Sequence, residues 1–313
     1  MVYRFIIAPE GAIGTPFRSD TLFGHACWTM LYKYGDDRFE SFRKNAVEQK
    51  PELVFSDGFP SGWLPRPLLP KRIPDDLTAQ EKKSLKKVSK RKWVFRQYAE
   101  NCNWDLSELD NQAKNVPEGY GDTPVSDIQL RNTIDRLTGT SLEENGLFSY
   151  ERNWYHGIWS KVDIYVSTRW SCKELTDLLY NMFEIGYGKD QTIGLGKVKI
   201  ASDPVEAKFP SSDQTEYYLS LSRCVPDGSV SINDSFYQIE PKYGKVWSGF
   251  NTDNPFKKRI IQITPGSILK VKSGSETAGK VLENIHDNSE IIENCKTVLY
   301  PLPGEIVKEF STW

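Results

Sequence analysis

The order of apolar and polar residues predicts a strand and then a helix at the start of the chain. Val2 to Ile7 reads as a buried strand, followed by a Gly- and Pro-rich connection from Pro9 to Pro16. Ser19 or Asp20 then caps a predicted helix that ends near Gly35. The apolar stripe of this helix is Leu22, Phe23, Ala26, Cys27, Met30 and Leu31.

A second strand and helix follow further along the chain. The alternation from Lys161 to Val166 is that of a half-buried strand, and Ser171 with Glu174 gives a capping-box pattern. The core face of this helix is Leu175, Leu178, Leu179, Met182 and Phe183. A glycine-rich loop and a strand from Lys197 to Ile200 complete this series of predicted elements. These elements predict an α+β, ferredoxin-like domain that closes near residue 205.

Other segments break this pattern. The segment from Pro51 to Pro74 is rich in Pro and Gly, so long regular structure is not expected there. Residues 121–150 contain two strand-like runs around turn-prone residues, which predicts a long β-hairpin or a flexible arm. From about Ser211 the chain becomes strand-rich, which indicates a second, β-rich domain. The predicted domains are therefore 1–205, with insertions at about 51–98 and 121–150, and 206–313.

The loop from Gly186 to Gly196 contains four glycines in eleven positions. Glycine backbone can adopt positive φ and approach a ligand closely, and phosphate is the ligand that most often uses such N–H donors. The loop follows a helix and precedes a strand, the opposite of a dinucleotide- or mononucleotide-binding loop, which disfavours those folds. Its polar side chains can donate to phosphates or base edges, and they are Lys189, Gln191 and Thr192, with Lys197 directly after.

Two interpretations of this loop stay open from the residues alone. It is either a tight connection or a site for single-stranded RNA held by its backbone. The predicted first helix adds a candidate anion site, because Arg18 and Ser19 lie at its start beside free backbone donors. An ordinary helix cap with a surface arginine explains those two residues equally well.

Composition and charge narrow the class of protein. With 313 residues and 38% hydrophobic content, the chain can form two domains with cores. The net charge of −2 conceals a basic stretch from Arg66 to Arg96, which is more often a solvated face than a phosphate-binding surface. The five cysteines lie far apart and show no zinc spacing. With no signal peptide or membrane-spanning run, we expect a cytoplasmic protein that has no contact with a membrane.

The sequence supplies no convincing catalytic set. Its three histidines are His25, His156 and His286, and none belongs to a nucleophile elbow, a metalloprotease motif or a kinase signature. We therefore predict neither enzymatic activity nor a metal or cofactor.

Three elements together resemble the RAMP superfamily of CRISPR-associated proteins. They are Phe17 to Gly24 at the first helix, Ile134 to Thr140 before Leu147 and Phe148, and the glycine loop. Further segments narrow the resemblance to the fourth subunit of the Csm complex, the type III-A effector, with the equivalent type III-B subunit as a close relative. These segments are Phe55 to Pro60, Leu64 to Pro67, Lys257 to Arg259, and Pro265 to Ser267.

The resemblance implies a non-catalytic subunit with two ferredoxin-like (RRM-like) domains, the second more β-rich and irregular. Such a subunit grips the 5′ handle of the CRISPR RNA and bridges the large polymerase-like subunit to the Csm backbone subunit in a hetero-oligomeric ribonucleoprotein. The implied RNA-binding residues are Arg18, Ser19 and Thr21 at the helix start, Arg131, Asn132 and Arg136 on a thumb-like hairpin, and Gly186, Gly188, Lys189, Gln191, Thr192, Gly194, Gly196 and Lys197 at the loop.

Two alternatives remain. The same superfamily includes metal-independent endoribonucleases that process CRISPR repeat RNA, for which His25 or His156 would be the catalytic candidate. The other alternative is a purely structural subunit whose glycine loop contacts protein.

Overall fold

The computed structural model describes residues 1–69, 78–80, 82–83, 91–105, 109, 123–142, 146–212, 215–246 and 254–305, with only the backbone of Thr192. Within these ranges the chain combines helices with a larger number of strands, which confirms the predicted α+β class. About half of the basic stretch from Arg66 to Arg96, namely residues 70–77, 81 and 84–90, lies outside the described residues. Of the described helices, none has the length and apolar character needed to cross a membrane.

The helices are α1 (Ser19–Thr29), α2 (Asp36–Val47), α3 (Arg96–Asn101) and α4 (Cys172–Glu184), and a π-helical turn, Met30–Tyr34, extends α1. The strands are β1 (Val2–Pro9), β2 (Leu53–Phe55), β3 (Phe59–Pro60), β4 (Trp63–Pro65), β5 (Trp93–Phe95), β6 (Val125–Asn132), β7 (Leu147–Trp154), β8 (Val162–Thr168), β9 (Val198–Glu206), β10 (Tyr217–Ser220), β11 (Val230–Phe236), β12 (Ile239–Lys242), β13 (Ile260–Ile263), β14 (Ile268–Val271), β15 (Thr277–Leu282) and β16 (Glu293–Pro301).

The first sheet has the antiparallel strand order β2-β8-β1-β9, and β3 also pairs with β8. The chain passes from β1 through α1 and α2 to β2, and from β8 through α4 to β9. Helices therefore connect strands that do not pair with each other. The strands predicted at Val2 to Ile7 and at Lys197 to Ile200 are confirmed as β1 and β9.

Strand β8 is buried on both faces, so the half-buried strand predicted there is wrong. Val162, Ile164 and Val166 pack in the core beneath α1 and α4. Tyr165 points the other way, into a core shared with the second half of the chain. The polar Asp163 is tolerated inside because Ser61 and the backbone N–H of Gly62 donate to its carboxylate at 2.7 and 2.9 Å.

The two predicted helices differ in how they begin. Helix α4 has the predicted capping box between Ser171 and Glu174, and all five predicted core residues are buried. Helix α1 instead has Arg18 at its N-cap position, without a side-chain cap from Ser19 or Asp20. The backbone N–H of Ser19 donates to Asp57 at 3.0 Å. A carboxylate from a distant segment therefore replaces the predicted local cap.

The second half of the described chain is strand-rich, as predicted. Its main sheet has the order β11-β14-β10-β16-β15, and β12 with β13 forms a separate two-stranded ribbon. Residues 215–246 and 254–304 contain no helix. The two halves share a hydrophobic core, to which the first sheet contributes Val2, Val54 and Tyr165 and the second contributes Leu219, Val298 and Tyr300.

A buried ionic network also joins the halves at the start of α1. Lys242 of β12 contacts the carboxylates of both Asp20 and Glu293, whose side chains are only 4% and 3% exposed. Arg223 contacts Asp57 and Glu240. Removing one member of such a network leaves a buried charge without its partner, which is costly.

We expect Lys242→Met to lower the free energy of unfolding by about 3 to 5 kcal/mol, because Asp20 loses the cation that contacts its buried carboxylate. The matched control is Lys270→Met, since Lys270 pairs with the half-exposed Asp234 and should cost less than about 1 kcal/mol. Denaturant unfolding of both variants measures the difference. Equal losses would contradict a stabilising role of the buried network.

Candidate nucleic-acid interface

The predicted hairpin forms between β6 and β7, which pair along their full length from Val125↔Trp154 to Asn132↔Leu147. Its base is fixed to the body of the protein. Ile13 and Asn153 exchange backbone hydrogen bonds of 2.8 and 2.9 Å. The base of the hairpin is therefore attached to the segment between β1 and α1, and the rest of the hairpin projects away from it.

The two faces of the hairpin differ in chemistry. On one face lie Arg131 and Tyr150, which point toward the glycine loop. On the opposite face lie Ile128, Leu130 and Leu147, which are 66%, 75% and 74% exposed. A hairpin with large exposed apolar side chains on one face is typical of a segment that meets another protein.

The glycine loop is a closed structure in which four glycines have positive φ: Gly186, Gly188, Gly194 and Gly196. A Cβ atom at Gly196 would lie 2.0 Å from the carbonyl oxygen of Tyr187, and one at Gly188 would lie 2.8 Å from the Cβ of Thr15. Both positions thus require glycine for two reasons, namely the backbone conformation and the close approach of a neighbour.

Several backbone donors of the loop are used inside the protein. The N–H of Tyr187 donates to Gly196, that of Gly188 to Nε2 of His25, that of Lys189 to Oγ1 of Thr15, and that of Gly196 to Ala12, at 2.8 to 3.1 Å. The glycines therefore serve the loop's own fold, and these N–H groups are not free to bind phosphate. What the loop offers a ligand is mainly its side chains.

Two cationic side chains lie near one aromatic ring, at the junction where the hairpin contacts the glycine loop. The guanidinium of Arg131 lies 3.9 Å from the ring centre of Tyr150, and Nζ of Lys189 lies 5.7 Å from it. Tyr150 packs on Ala12 and Leu195, and burial, followed by the nearby Asp190 carboxylate, raises the pKa of its hydroxyl. Attraction to this ring therefore favours the presence of both cations at the junction.

Tyr150 is a member of this cluster that sequence reasoning did not select. Its place follows from the hairpin register, in which it faces Gln129, so that Arg131 lies diagonally across the strand pair. The register of β6 and β7 depends on the turn that joins them. The sequence did not determine this turn, since it was equally compatible with a flexible arm.

The other predicted residues of the loop lie around this junction. Nε2 of Gln191 donates to the carbonyl of Gly186 at 3.2 Å, and the backbone of Thr192 lies in a short 3-10 turn. Nζ of Lys197 lies 3.1 Å from the carboxylate of Glu10 while its side chain remains 74% exposed. The hydrogen bonds from Lys199 and Lys197 lower the pKa of Glu10.

At the start of α1, two side chains make no hydrogen bond within the described ranges: Arg18, which is half-buried beside the carboxylates of Asp20 and Asp57, and Ser19, whose Oγ is buried. Oγ1 of Thr21 donates to Asp20 at 3.1 Å. The backbone N–H of Arg18 donates to the hydroxyl of Tyr187 in the loop at 3.1 Å, which places this helix end beside the loop. Because Asp57 already accepts from Ser19, the predicted anion site at this helix end is partly filled by the protein itself.

Asn132 and Arg136 lie further out along the hairpin. Nδ2 of Asn132 donates to Ser141, and Arg136 is exposed in the turn at the tip. The structure thus brings Arg131, Lys189 and the loop together and leaves these two residues away from that junction.

His25 has a structural environment. Its Nε2 accepts the N–H of Gly188 at 3.0 Å, and its ring stacks on Tyr187 at 5.0 Å. Burial lowers its pKa to about 4, so the ring is neutral near pH 7. His156 is exposed two residues after β7. Within the described ranges, no cluster of three or more His, Cys, Asp or Glu side chains could hold a metal ion.

The chain is similar in fold to solved chains of CRISPR effector assemblies. One match belongs to the Csm3–Csm4 subcomplex of the type III-A interference complex, with 14% identity, 96% of this chain and 99% of that chain covered, and a TM-score of 0.58. Another belongs to the Csm1–Csm4 cassette in complex with pppApA, with 16% identity, coverage of 97% and 99%, and a TM-score of 0.55. Csm4 is the component that the two assemblies share.

The chain has the fold of Csm4. The resemblance found in the sequence is confirmed at this level, over nearly the whole chain. Neither a protein-family model nor a curated protein matches it.

We expect His25 to make stability depend on pH. The unfolded side chain takes up a proton near pH 6.5, but the folded one does so only near pH 4. The folded state therefore loses stability as the pH falls through that window, by roughly 3 kcal/mol in total. His25→Gln keeps an acceptor but does not titrate, so this part of the loss should disappear.

Denaturant unfolding between about pH 7 and about pH 4 measures this effect. The exposed His156→Gln serves as the control and should behave like the unchanged protein. If His25→Gln and the unchanged protein lose the same free energy over this range, the buried, neutral His25 is ruled out.

Proposed function

We propose that the chain is a non-catalytic, RNA-binding subunit of a type III-A CRISPR effector complex that grips the 5′ handle of the CRISPR RNA. The observation that carries the proposal is the junction at which Arg131 and Lys189 meet over Tyr150, on a chain with the Csm4 fold. Two neighbouring cations suit the phosphates of a single-stranded RNA, and the buried Tyr150 ring, only 6% exposed, places the cations rather than stacking on a base.

The proposal includes the predicted ferredoxin-like first domain. Its support is the antiparallel order β2-β8-β1-β9 with helices between β1 and β2 and between β8 and β9, which is a split βαβ arrangement. A second ferredoxin-like domain has less support, because residues 215–246 and 254–304 contain no helix. Domains at 1–205 and 206–313 and a cytoplasmic location remain part of the proposal.

A non-catalytic role is favoured by the state of His25. As an acceptor of the Gly188 N–H, its Nε2 is already occupied and cannot take a proton from an RNA hydroxyl without breaking that bond. His156 is exposed and lies two residues after Trp154, the last residue of β7. The endoribonuclease alternative would therefore depend on His156.

We expect Arg131→Gln with Lys189→Gln to weaken binding of RNA that carries a repeat-derived 5′ end. Each cation that contacts a phosphate releases about 0.7 counterion per single-strand contact, so the slope of log Kd against log salt should fall by roughly 1.4. Titrations of labelled RNA at about 50 to about 200 mM salt measure the slope. Lys44→Gln in α2 with Lys50→Gln just after it removes the same charge at two exposed positions outside the hairpin and the loop, and it should leave more of the slope intact.

Two outcomes would count against the proposal. An unchanged slope in the Arg131 and Lys189 variant would mean that the junction does not contact phosphate. Specific cleavage of the RNA that disappears in His156→Ala would favour the endoribonuclease.

The hairpin face opposite Arg131 and Tyr150 is the surface that we propose for a protein partner. The proposed partners are a large polymerase-like subunit and a backbone subunit, as in the Csm1–Csm4 and Csm3–Csm4 assemblies. Ile128, Leu130 and Leu147 give this face an exposed apolar surface. We assign it to the backbone subunit, since a hairpin that projects from the body can reach a neighbour.

We expect Leu130→Ser with Leu147→Ser to weaken association with a Csm3-like backbone subunit by about tenfold or more, because two leucines lose apolar burial. The free energy of unfolding of the isolated chain should change by less than about 0.5 kcal/mol, since both side chains are exposed. Co-purification and denaturant unfolding measure the two effects. Val205→Ser, at a half-exposed position of β9, is the control, and equal co-purification of both variants would exclude this face.

A further inference from the structure

The ribbon formed by β12 and β13 carries two cross-strand pairs of a cation and an aromatic ring. Beyond the last strand pair, Lys242↔Ile260, the next opposed residues are Tyr243 and Arg259. The guanidinium of Arg259 lies 5.3 Å from the ring centre of Tyr243. Lys245 and Phe256 form a β-bridge, and Nζ of Lys245 lies 4.7 Å from that ring centre.

Alternate residues of the ribbon point inward and fix its orientation. Lys242 contacts Asp20 and Glu293. Gly244 packs on Lys257, since a Cβ atom there would lie 3.0 Å from its Cδ. Nζ of Lys257 in turn contacts Glu293 at 2.9 Å. The intervening positions therefore face outward, where Tyr243 is 67% and Phe256 is 54% exposed.

In its described part, the outer surface of the ribbon carries positive charge that no acid of the ribbon neutralises. Lys245, Lys258 and Arg259 are exposed, and no ion pair to a carboxylate is recorded for them within the described ranges. The one acid in the described part of residues 239–263 is Glu240, and it pairs with Arg223. Tyr, Phe and Arg are enriched in protein–protein interfaces but Lys is depleted, so the unneutralised Lys245 and Lys258 are the feature that favours a polyanion here.

We propose that this ribbon is a second binding site for single-stranded RNA, at which bases stack on Tyr243 and Phe256 and phosphates contact Lys245, Lys258 and Arg259. The two aromatic–cation pairs are two residues apart along one strand, about 7 Å. Stacking on an aromatic face accepts any base, and a cation beside the ring adds attraction for the backbone.

The inference rests on the proposed function in taking RNA as the ligand, but it uses different residues. The ribbon adjoins the other candidate surface, because Lys242 contacts Asp20 in the first turn of α1, two residues after Arg18. The inner face of the ribbon therefore packs beside the start of α1, while Tyr243 and Phe256 lie on its outer face.

The test is a titration of the full-length chain with fluorescein-labelled oligouridylate and oligoadenylate. Tyr243→Leu with Phe256→Leu keeps apolar volume and removes the rings, and we expect Kd to rise about tenfold or more. Ile261→Ala is the matched control, because Ile261 is 58% exposed on the same ribbon but is not aromatic. Its Kd should stay unchanged. Equal affinity of the double variant and the control would overturn the inference.

A second measurement does not depend on variants. Ultraviolet crosslinking of RNA that contains 4-thiouridine, followed by mass spectrometry, should recover peptides that contain Tyr243 or Phe256. If no such peptide is recovered, or if the double variant loses a protein partner instead of RNA, the ribbon is not an RNA site.

The two proposals fail in different ways. If only the ribbon inference is wrong, Arg131→Gln with Lys189→Gln weakens RNA binding and Tyr243→Leu with Phe256→Leu does not. If the junction is not an RNA site, the ribbon variant weakens binding and the junction variant does not.

Discussion

The buried carboxylates at the start of α1 set the arrangement of the whole molecule. Asp57 accepts the backbone N–H of Ser19 and contacts Arg223, and Asp20 contacts Lys242. Burial raises the pKa of Asp57, so its charge depends on the cation beside it. The helix dipole favours the same negative charge. These contacts fix the second half of the chain to the first helix. They thereby also fix the position of the ribbon formed by β12 and β13.

The same contacts decide which groups are left to bind RNA in the proposed function. A helix start that already binds a carboxylate of its own protein is a weaker anion site than one with free donors, because a phosphate would have to displace Asp57 or share its place. The glycine loop likewise uses its backbone donors within the protein, since the N–H groups of Gly188 and Lys189 donate to His25 and Thr15. In the proposed function, RNA recognition is therefore left to long cationic side chains and exposed rings.

The sequence predicted those features that residues close together in the chain determine. The capping box of Ser171 and Glu174 lies within one helical turn, so residue types alone identify it. The cap of α1 could not be predicted, because Asp57 is far away in the chain. The burial of β8 on both faces also escaped prediction, since its alternating polar residues do not reveal that a second sheet covers them. Tyr150 was missed because its place depends on the register of the hairpin.

In the proposed function, the two faces of the hairpin would couple the binding of a protein partner to the binding of RNA. The chain carries a net charge of −2, so its overall field does not attract RNA and affinity must come from local cations such as Arg131. Arg131 sits on a hairpin whose opposite face exposes Leu130 and Leu147. A partner that covers those leucines would hold the hairpin against the glycine loop and reduce the entropy lost when Arg131 binds phosphate. Binding of the partner and of RNA should therefore strengthen each other, by the same factor in both directions.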